Sequence, residues 1–221
     1  MPSFLGHPRA NTIQLPAPVY ATWNPAGTDA NIALSNGNLT AEVTGPTAGT
    51  AYGTSATPGG SFDNGKRYIE IGVTSIVGSA SGVAIGFADT DQAVTGELGD
   101  MAYAYAWRLD GYKENAGVES VFGSIATAGD IVQLAIHAYV EGGLAKANIW
   151  FGLNGVWFGA GDPASGVNPS FEGVVAPIAT DWSIRSTLKV TGDCLFGNFG
   201  NAPFSYEVPV GFGSGWGFNI V

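Results

Sequence analysis

The residues able to act on a bond or hold an ion are few and scattered. Glu70 lies in the run Arg67 to Val73, where Tyr68, Glu70 and Gly72 alternate with Ile69, Ile71 and Val73, the two-residue period of a strand. Retaining glycoside hydrolysis needs paired carboxylates, one to protonate the leaving oxygen and one to attack, and sandwich glucanases carry them as Glu-x-Asp-x-x-Glu on one strand. Here Glu70-Ile71-Gly72-Val73-Thr74-Ser75 supplies a single carboxylate. Asp89-Thr90-Asp91, with Glu97 and Asp100, is an acidic loop offering the hard oxygen ligands that calcium takes. Ala93 stands where the EF-hand order needs a third ligand, so the loop reads as solvated. His7 and His137 are distant in sequence, and the lone Cys194 closes no intrachain disulfide and no cysteine zinc cluster. A Gly-x-Ser-x-Gly nucleophile elbow and a phosphate-binding lysine loop are both missing, and the glycine-dense run Gly211 to Gly217 reads as a flexible tail with aromatic anchors. The expectation is a protein without catalytic residues, metal or cofactor.

What remains is aromatic and neutral-polar. Trp23, Tyr103, Tyr105, Trp107, Tyr112, Trp150, Trp157, Phe158, Trp182 and Trp216 exceed what one core of this size needs, although Trp150 reads as core. Tyr and Trp set among Asp, Asn and Gly in loops suit stacking on sugar rings or anchoring a partner chain. The segment Tyr103 to Lys113 places Tyr103, Tyr105 and Trp107 on one face of a strand that runs into the polar turn at Asp110-Gly111. That face suits a ligand or the underside of an opposing sheet, and the segment alone does not choose. The candidate binding residues are Asp89, Asp91, Tyr105, Trp107, Asp110, Tyr112, Lys113, Trp157 and Asp162.

The elements that must position these residues are strands. Of 221 residues 34 are glycine, which argues against helices because each interior glycine costs about 0.5–1 kcal/mol relative to alanine. Hydrophobic residues make up 45% and charged residues 12%, a balance opposite to that of disordered chains. The net charge of -10, with eight scattered Lys and Arg, disfavours nucleic acid and anionic membranes. Residues 1–22 carry several prolines and no continuous apolar run, so they read as an extended arm rather than a signal peptide or membrane span. From Trp23 onward, short apolar runs alternate with Gly, Asn, Asp and Pro: Leu39–Val43, Arg67–Ile76, Gly82–Ala88, Ala102–Trp107, Ile131–Val140, Ala145–Gly152, Val174–Ala179 and Ser183–Val190. In Ile131–Val140 the set Val132, Leu134, Ile136, Ala138 and Val140 is wholly apolar, predicting one face on a core. Asn36-Gly37 and Asn154-Gly155 predict tight antiparallel hairpins, because their central residues tolerate positive φ. Asp110-Gly111 and Glu141-Gly142-Gly143 are weaker turn signals. The reading is an all-β, two-sheet antiparallel β-sandwich spanning 23–212, preceded by the arm and followed by a Gly/aromatic tail, 213–221.

The order of motifs resembles the SPRY domain, a concanavalin-like β-sandwich, in the form found in bacteriophage virion proteins. The stretches that carry it are Trp23 with Leu34-Ser35-Asn36-Gly37-Asn38-Leu39-Thr40, then Gly65-Lys66-Arg67-Tyr68-Ile69-Glu70, Val83 to Ala88, Gly129 to Ala135, and Ile149 to Trp157. Gly197-Asn198-Phe199-Gly200, Pro203-Phe204-Ser205-Tyr206 and Pro209 to Phe212 resemble the closing strand and its Pro-rich exit. The insertion Gly161 to Phe171 suggests the phage variety, and Val140 to Leu144 departs from the pattern as a turn longer than usual. The resemblance implies a non-enzymatic binding and assembly module with its partner surface on the loops Asp89–Asp100, Asp110–Asn115 and Gly159–Pro169. It further implies a virion structural protein of tail fibre, baseplate or capsid decoration type, homo-oligomeric or part of a larger assembly, contacting neighbouring subunits or a host glycan or protein. A carbohydrate-binding adhesin is the alternative, and a glycan-degrading enzyme of concanavalin-like fold, using Glu70, is the second.

Overall fold

The computed structural model describes residues 16–46, 52–57, 62, 64–91, 96–179 and 181–220. Its strands are β1 (Val19–Tyr20), β2 (Thr22–Trp23), β3 (Ile32–Ser35), β4 (Thr40–Val43), β5 (Tyr52–Thr57), β6 (Gly65–Ser75), β7 (Ala84–Asp89), β8 (Ala104–Arg108) and β9 (Tyr112–Asn115). They continue as β10 (Val118–Val121), β11 (Ile131–Glu141), β12 (Leu144–Leu153), β13 (Val156–Trp157), β14 (Phe171–Ala176), β15 (Trp182–Leu188), β16 (Cys194–Asn198), β17 (Gly213–Ser214) and β18 (Gly217–Phe218). Two sheets face each other. One runs β10-β9-β8-β7-β15-β5-β2, and the other runs β13-β12-β11-β6-β16-β4-β3, with β14 added to β12 and β17 to β6. Between the long strands the pairing is antiparallel, as the hairpin signals require. Among the described residues no helix is long and apolar enough to cross a membrane.

The period-two patterns decide which side chains meet between the sheets. Ile69, Ile71 and Val73 of β6 and Val132, Leu134, Ile136 and Ala138 of β11 join one large core with Trp23, Phe87, Trp107, Phe151, Trp182 and Trp216. Val140 leaves that set and is 54% exposed, lying beyond Ala138, where the pairing of β11 with β6 ends. The opposite face of β6 and β11 is covered as well. Tyr68, Ala135, Trp150 and Phe212 form a second buried cluster, with Trp157, Phe204 and Val208 packed on it. Trp150 is therefore buried on the outer side of its sheet rather than between the two.

Turn chemistry behaves as the residues demand, with two corrections. Asn36-Gly37 is not a two-residue turn, because β3 and β4 pair only to Ser35 and Thr40 and residues 36–39 lie between them. Asn154 and Gly155 have φ of 49° and 85° and join β12 to β13 directly. The expected long interruption at Val140–Leu144 is in fact tight: β11 and β12 stay in register to Glu141 and Leu144, and Gly142 and Gly143, at φ 64° and 79°, make the two-residue turn alone. Two glycines side by side carry the positive φ there, so no extra length is needed.

The boundaries drawn at 22/23 and 212/213 do not separate bodies. Residues 1–15 lie outside the described residues, but β1 pairs with β18, β2 with β5, and β17 runs parallel to β6. The Gly211–Gly217 run, expected as a flexible tail, buries Trp216 in the main core against Phe62 and Phe87.

Candidate functional site

The outer face of the larger sheet carries a polar group of β6 and β11 residues held under a strap, residues 203–212. Register sets Glu70 of β6 opposite Gln133 of β11, with Tyr68 two residues away on the same face. One Glu70 oxygen accepts from the Tyr206 amide at 2.8 Å and from the Tyr68 hydroxyl at 2.8 Å; the other accepts from the Ser205 amide at 2.8 Å. Gln133 donates to the Tyr68 oxygen at 3.3 Å and accepts from the Gly155 amide at 2.6 Å. Burial, followed by the bond to Glu70, pushes the Tyr68 phenol well above its usual pKa, so it stays a donor. This network fastens both the strap and the Asn154-Gly155 turn to the sheet.

Between those two fastened segments opens a cleft of about 470 Å³. Gln133 forms part of its lining; Trp157, Asp162 and Pro163 line it from the hairpin side and Tyr206, Glu207, Val208 and Pro209 from the strap. The Trp157 ring, half-buried, leans edge-on against Tyr68 with centroids 6.2 Å apart. Asp162 accepts from the Ser165 hydroxyl and amide, and the hydroxyl bond holds its carboxyl below the usual range. The cleft thus combines aromatic and proline surface with two carboxylates on a hydrogen-bonded base, a binding surface more than a reacting one.

Of the nine residues singled out from sequence, Trp157 and Asp162 meet in this cleft. Tyr105 and Trp107, included among the candidate binding residues, are removed from them: their strand face is the one that packs under the opposing sheet, the two are 5% and 0% exposed, and Trp107 lies against Phe158. The opposite face of β8 carries Ala104 and Ala106, which pack with Leu98 and Met101, so the small residues face outward and the aromatics inward. Asp89 is also corrected. It is fully buried, and its carboxylate accepts from the amides of Asp91 at 3.0 Å, Ile178 at 2.6 Å and Ala179 at 3.0 Å, tying two loops together rather than facing a ligand. Asp91 is exposed, and the rest of the acidic loop, 92–95, lies outside the described residues.

Asp110, Tyr112 and Lys113 sit together at the β8–β9 end of the smaller sheet and line no part of the cleft. Asp110 takes a two-pronged bond from Arg108, at 2.6 and 3.2 Å, and Arg108 also pairs with Glu119 and lies 5.3 Å from the Tyr112 ring centroid. Lys113 donates to the Ser170 carbonyl at 2.8 Å and sits over the rings of Phe122 and Phe171; burial lowers its pKa. The residues missed from sequence are Gln133, Tyr206, Glu207 and Pro209. Gln133 carried only the strand alternation of Ile131–Val140, and the other three only the Pro-rich exit 203–209, which does not reveal that it folds back over Glu70.

No protein-family model and no curated protein matches the chain. Among solved structures it is similar to a human SPRY domain, 18% identical, with a TM-score of 0.58 over 79% of this chain and 98% of that one. The fold is SPRY-like. A second SPRY domain, that of human HERC1, is 14% identical with a TM-score of 0.56, covering 79% of this chain and 96% of that one. At these identities the likeness is one of architecture, and the SPRY-like sandwich acquires a function only through its own surface.

Proposed function

We propose that this SPRY-like sandwich is a non-catalytic binding module that seats a partner protein in the cleft between residues 155–164 and the strap 206–210. One observation carries the reading: both oxygens of Glu70, the strand carboxylate that a hydrolase of this architecture would need, are taken up by the Ser205 and Tyr206 amides. Those bonds hold the strap wall and the Gly155 amide bond to Gln133 holds the hairpin wall, both before any partner arrives, which lowers the ordering cost of binding. Trp157 and Tyr206 are aromatic anchors of the kind that dominate protein interfaces. The partners we assign are subunits of a virion surface, in a tail fibre, baseplate or capsid decoration position, with the protein homo-oligomeric or part of that assembly. The motif set from Trp23 to Phe212 and the insertion Gly161–Phe171 support that placement. The test is whether purified protein co-sediments with particles and whether Trp157→Ala abolishes this while leaving the fold intact. Wild-type protein that ignores particles, or a Trp157→Ala variant that still co-sediments with them, removes the reading.

A second reading, host-glycan recognition, is favoured by two aromatic rings and two carboxylates, Asp162 and Glu207, around one opening, since sugars offer an apolar face and hydroxyl donors. Glycan-array binding lost in both Trp157→Ala and Glu207→Gln would select it over the protein partner.

A further inference from the structure

The smaller sheet ends on one side at β10, whose four residues are all exposed. The β9–β10 hairpin turns through Ala116 and Gly117, at φ 51° and 72°, with Val118 paired to Asn115. In such a hairpin the residues flanking the turn exchange backbone hydrogen bonds, and every second residue beyond them repeats the exchange. Val118 and Ser120 therefore direct their backbone groups to β9, and Phe122 continues the series by donating to the Gly111 carbonyl at 2.7 Å. Glu119 and Val121 direct theirs away from the sheet, and among the described residues no backbone group meets them.

The neighbouring edge of the other sheet is closed. Tyr105 bonds to both the amide and the carbonyl of Val175 in β14, which blocks further pairing there. Among the described residues β10 has no such plug, and although short it carries neither proline nor lysine nor a bulge. Its one charge, Glu119, is drawn back onto Arg108, while Val118 and Val121 are each 73% exposed and Ile125 is 64% exposed.

We propose that β10 pairs antiparallel with β10 of a second copy of this chain, joining two smaller sheets into one continuous sheet. A two-fold axis perpendicular to a sheet keeps every residue on its own face, so a residue can meet only itself or one an even number of positions away. Centred on Glu119, the pairing opposes two carboxylates. Centred on Val121, it carries the ladder past the strand to Gly123, whose φ of 142° has left the extended range. Centred on Ser120, it sets Glu119 against Val121 in both directions, and these are the residues whose backbone groups face outward. Each such pair exchanges two hydrogen bonds, and the valine covers the stem of the glutamate whose carboxylate is drawn back onto Arg108. A second copy fits this edge because its own sequence satisfies that register without directly opposing like charges. Ser120 then faces Ser120 of the copy at a non-hydrogen-bonded position, with Cα atoms about 4.5 Å apart.

The test is sedimentation equilibrium on the full chain with two variants. Wild type is expected to dimerise with rising concentration, Val121→Pro, which deletes two of the four bonds and touches none within the fold, to weaken the dimer at least tenfold at unchanged Tm, and Ser120→Cys to form a disulfide dimer on mild oxidation while Val118→Cys does not. A wild type that stays monomeric, equal cross-linking at 118 and 120, a Val121→Pro dimer as tight as wild type, or an edge occupied only by a different protein each overturns the proposal. The outcome is independent of the cleft, which β10 does not line.

Discussion

The phenolic oxygen of Tyr105 donates to the Val175 carbonyl at 3.2 Å and accepts from the Val175 amide at 3.3 Å. One side chain on the smaller sheet thereby satisfies both outward groups of an edge residue on the larger, and the ring itself packs against Phe171 and Trp182. Tyr105→Phe keeps the ring and leaves those two backbone groups without their partner. We expect a loss of about 1–3 kcal/mol, read as a Tm decrease of about 2–4 °C per kcal/mol for a chain of this size. An unchanged Tm would mean that water replaces the phenol without cost.

Trp157 and Trp107 should separate cleanly. Trp107 is fully buried between the sheets, so Trp107→Ala is expected to cost about 3–5 kcal/mol in urea denaturation, and more where the cavity cannot collapse. Trp157 is half-buried at the cleft, so Trp157→Ala should lose partner or glycan binding with a much smaller stability change. Equal destabilisation by the two would make Trp157 a core residue and remove it from the binding surface.

Glu70→Gln tests the clamp. The amide keeps one acceptor oxygen and presents a donor group to the other site, so one of the Ser205 and Tyr206 amides loses its acceptor. Hydrogen exchange at those two amides should accelerate, with a global loss of about 1–3 kcal/mol. Release of reducing ends from polysaccharide by wild type but not by Glu70→Gln would instead establish hydrolysis and overturn the non-catalytic reading.

Acid should loosen the turn beside the cleft. Asp130 accepts from the Asn154 side chain at 2.7 Å and from the Thr127 amide at 2.7 Å, and these bonds, Asn154 first, hold its carboxyl below the usual 3.8. A folded pKa below the unfolded one stabilises the protein at pH above the unfolded value and ceases to do so as pH falls through the folded value. Wild type should therefore be more stable than Asp130→Asn near neutrality, and the gap should narrow below about pH 4. Melting curves across that range check the sign; a gap that widens on acidification would refute the assignment.

Much of the sandwich was legible because strands and hairpins are written locally. Alternation in Arg67–Val73 and Ile131–Val140 needs only the pleat, and Asn154-Gly155 needs only the φ preferences of its own residues. The same rules placed Tyr105 and Trp107 on one face of β8, yet they are silent on which face is covered. Covering is a property of partners far along the chain: alanines under Leu98 and Met101 on one side, Phe158 and Trp182 on the other.

The amino-acid sequence by itself determined the fold class, the strand periodicity, the tight turns and the small supply of groups able to do chemistry. Tertiary structure alone decided that Glu70 clamps residues 135 and 136 positions away, that Trp157 and Asp162 share a cleft, and that β14 is plugged while β10 stays bare. The physical reason is range: dihedral and alternation preferences act within a few residues, whereas burial and edge satisfaction depend on which distant segment arrives to desolvate a side chain or take up an amide.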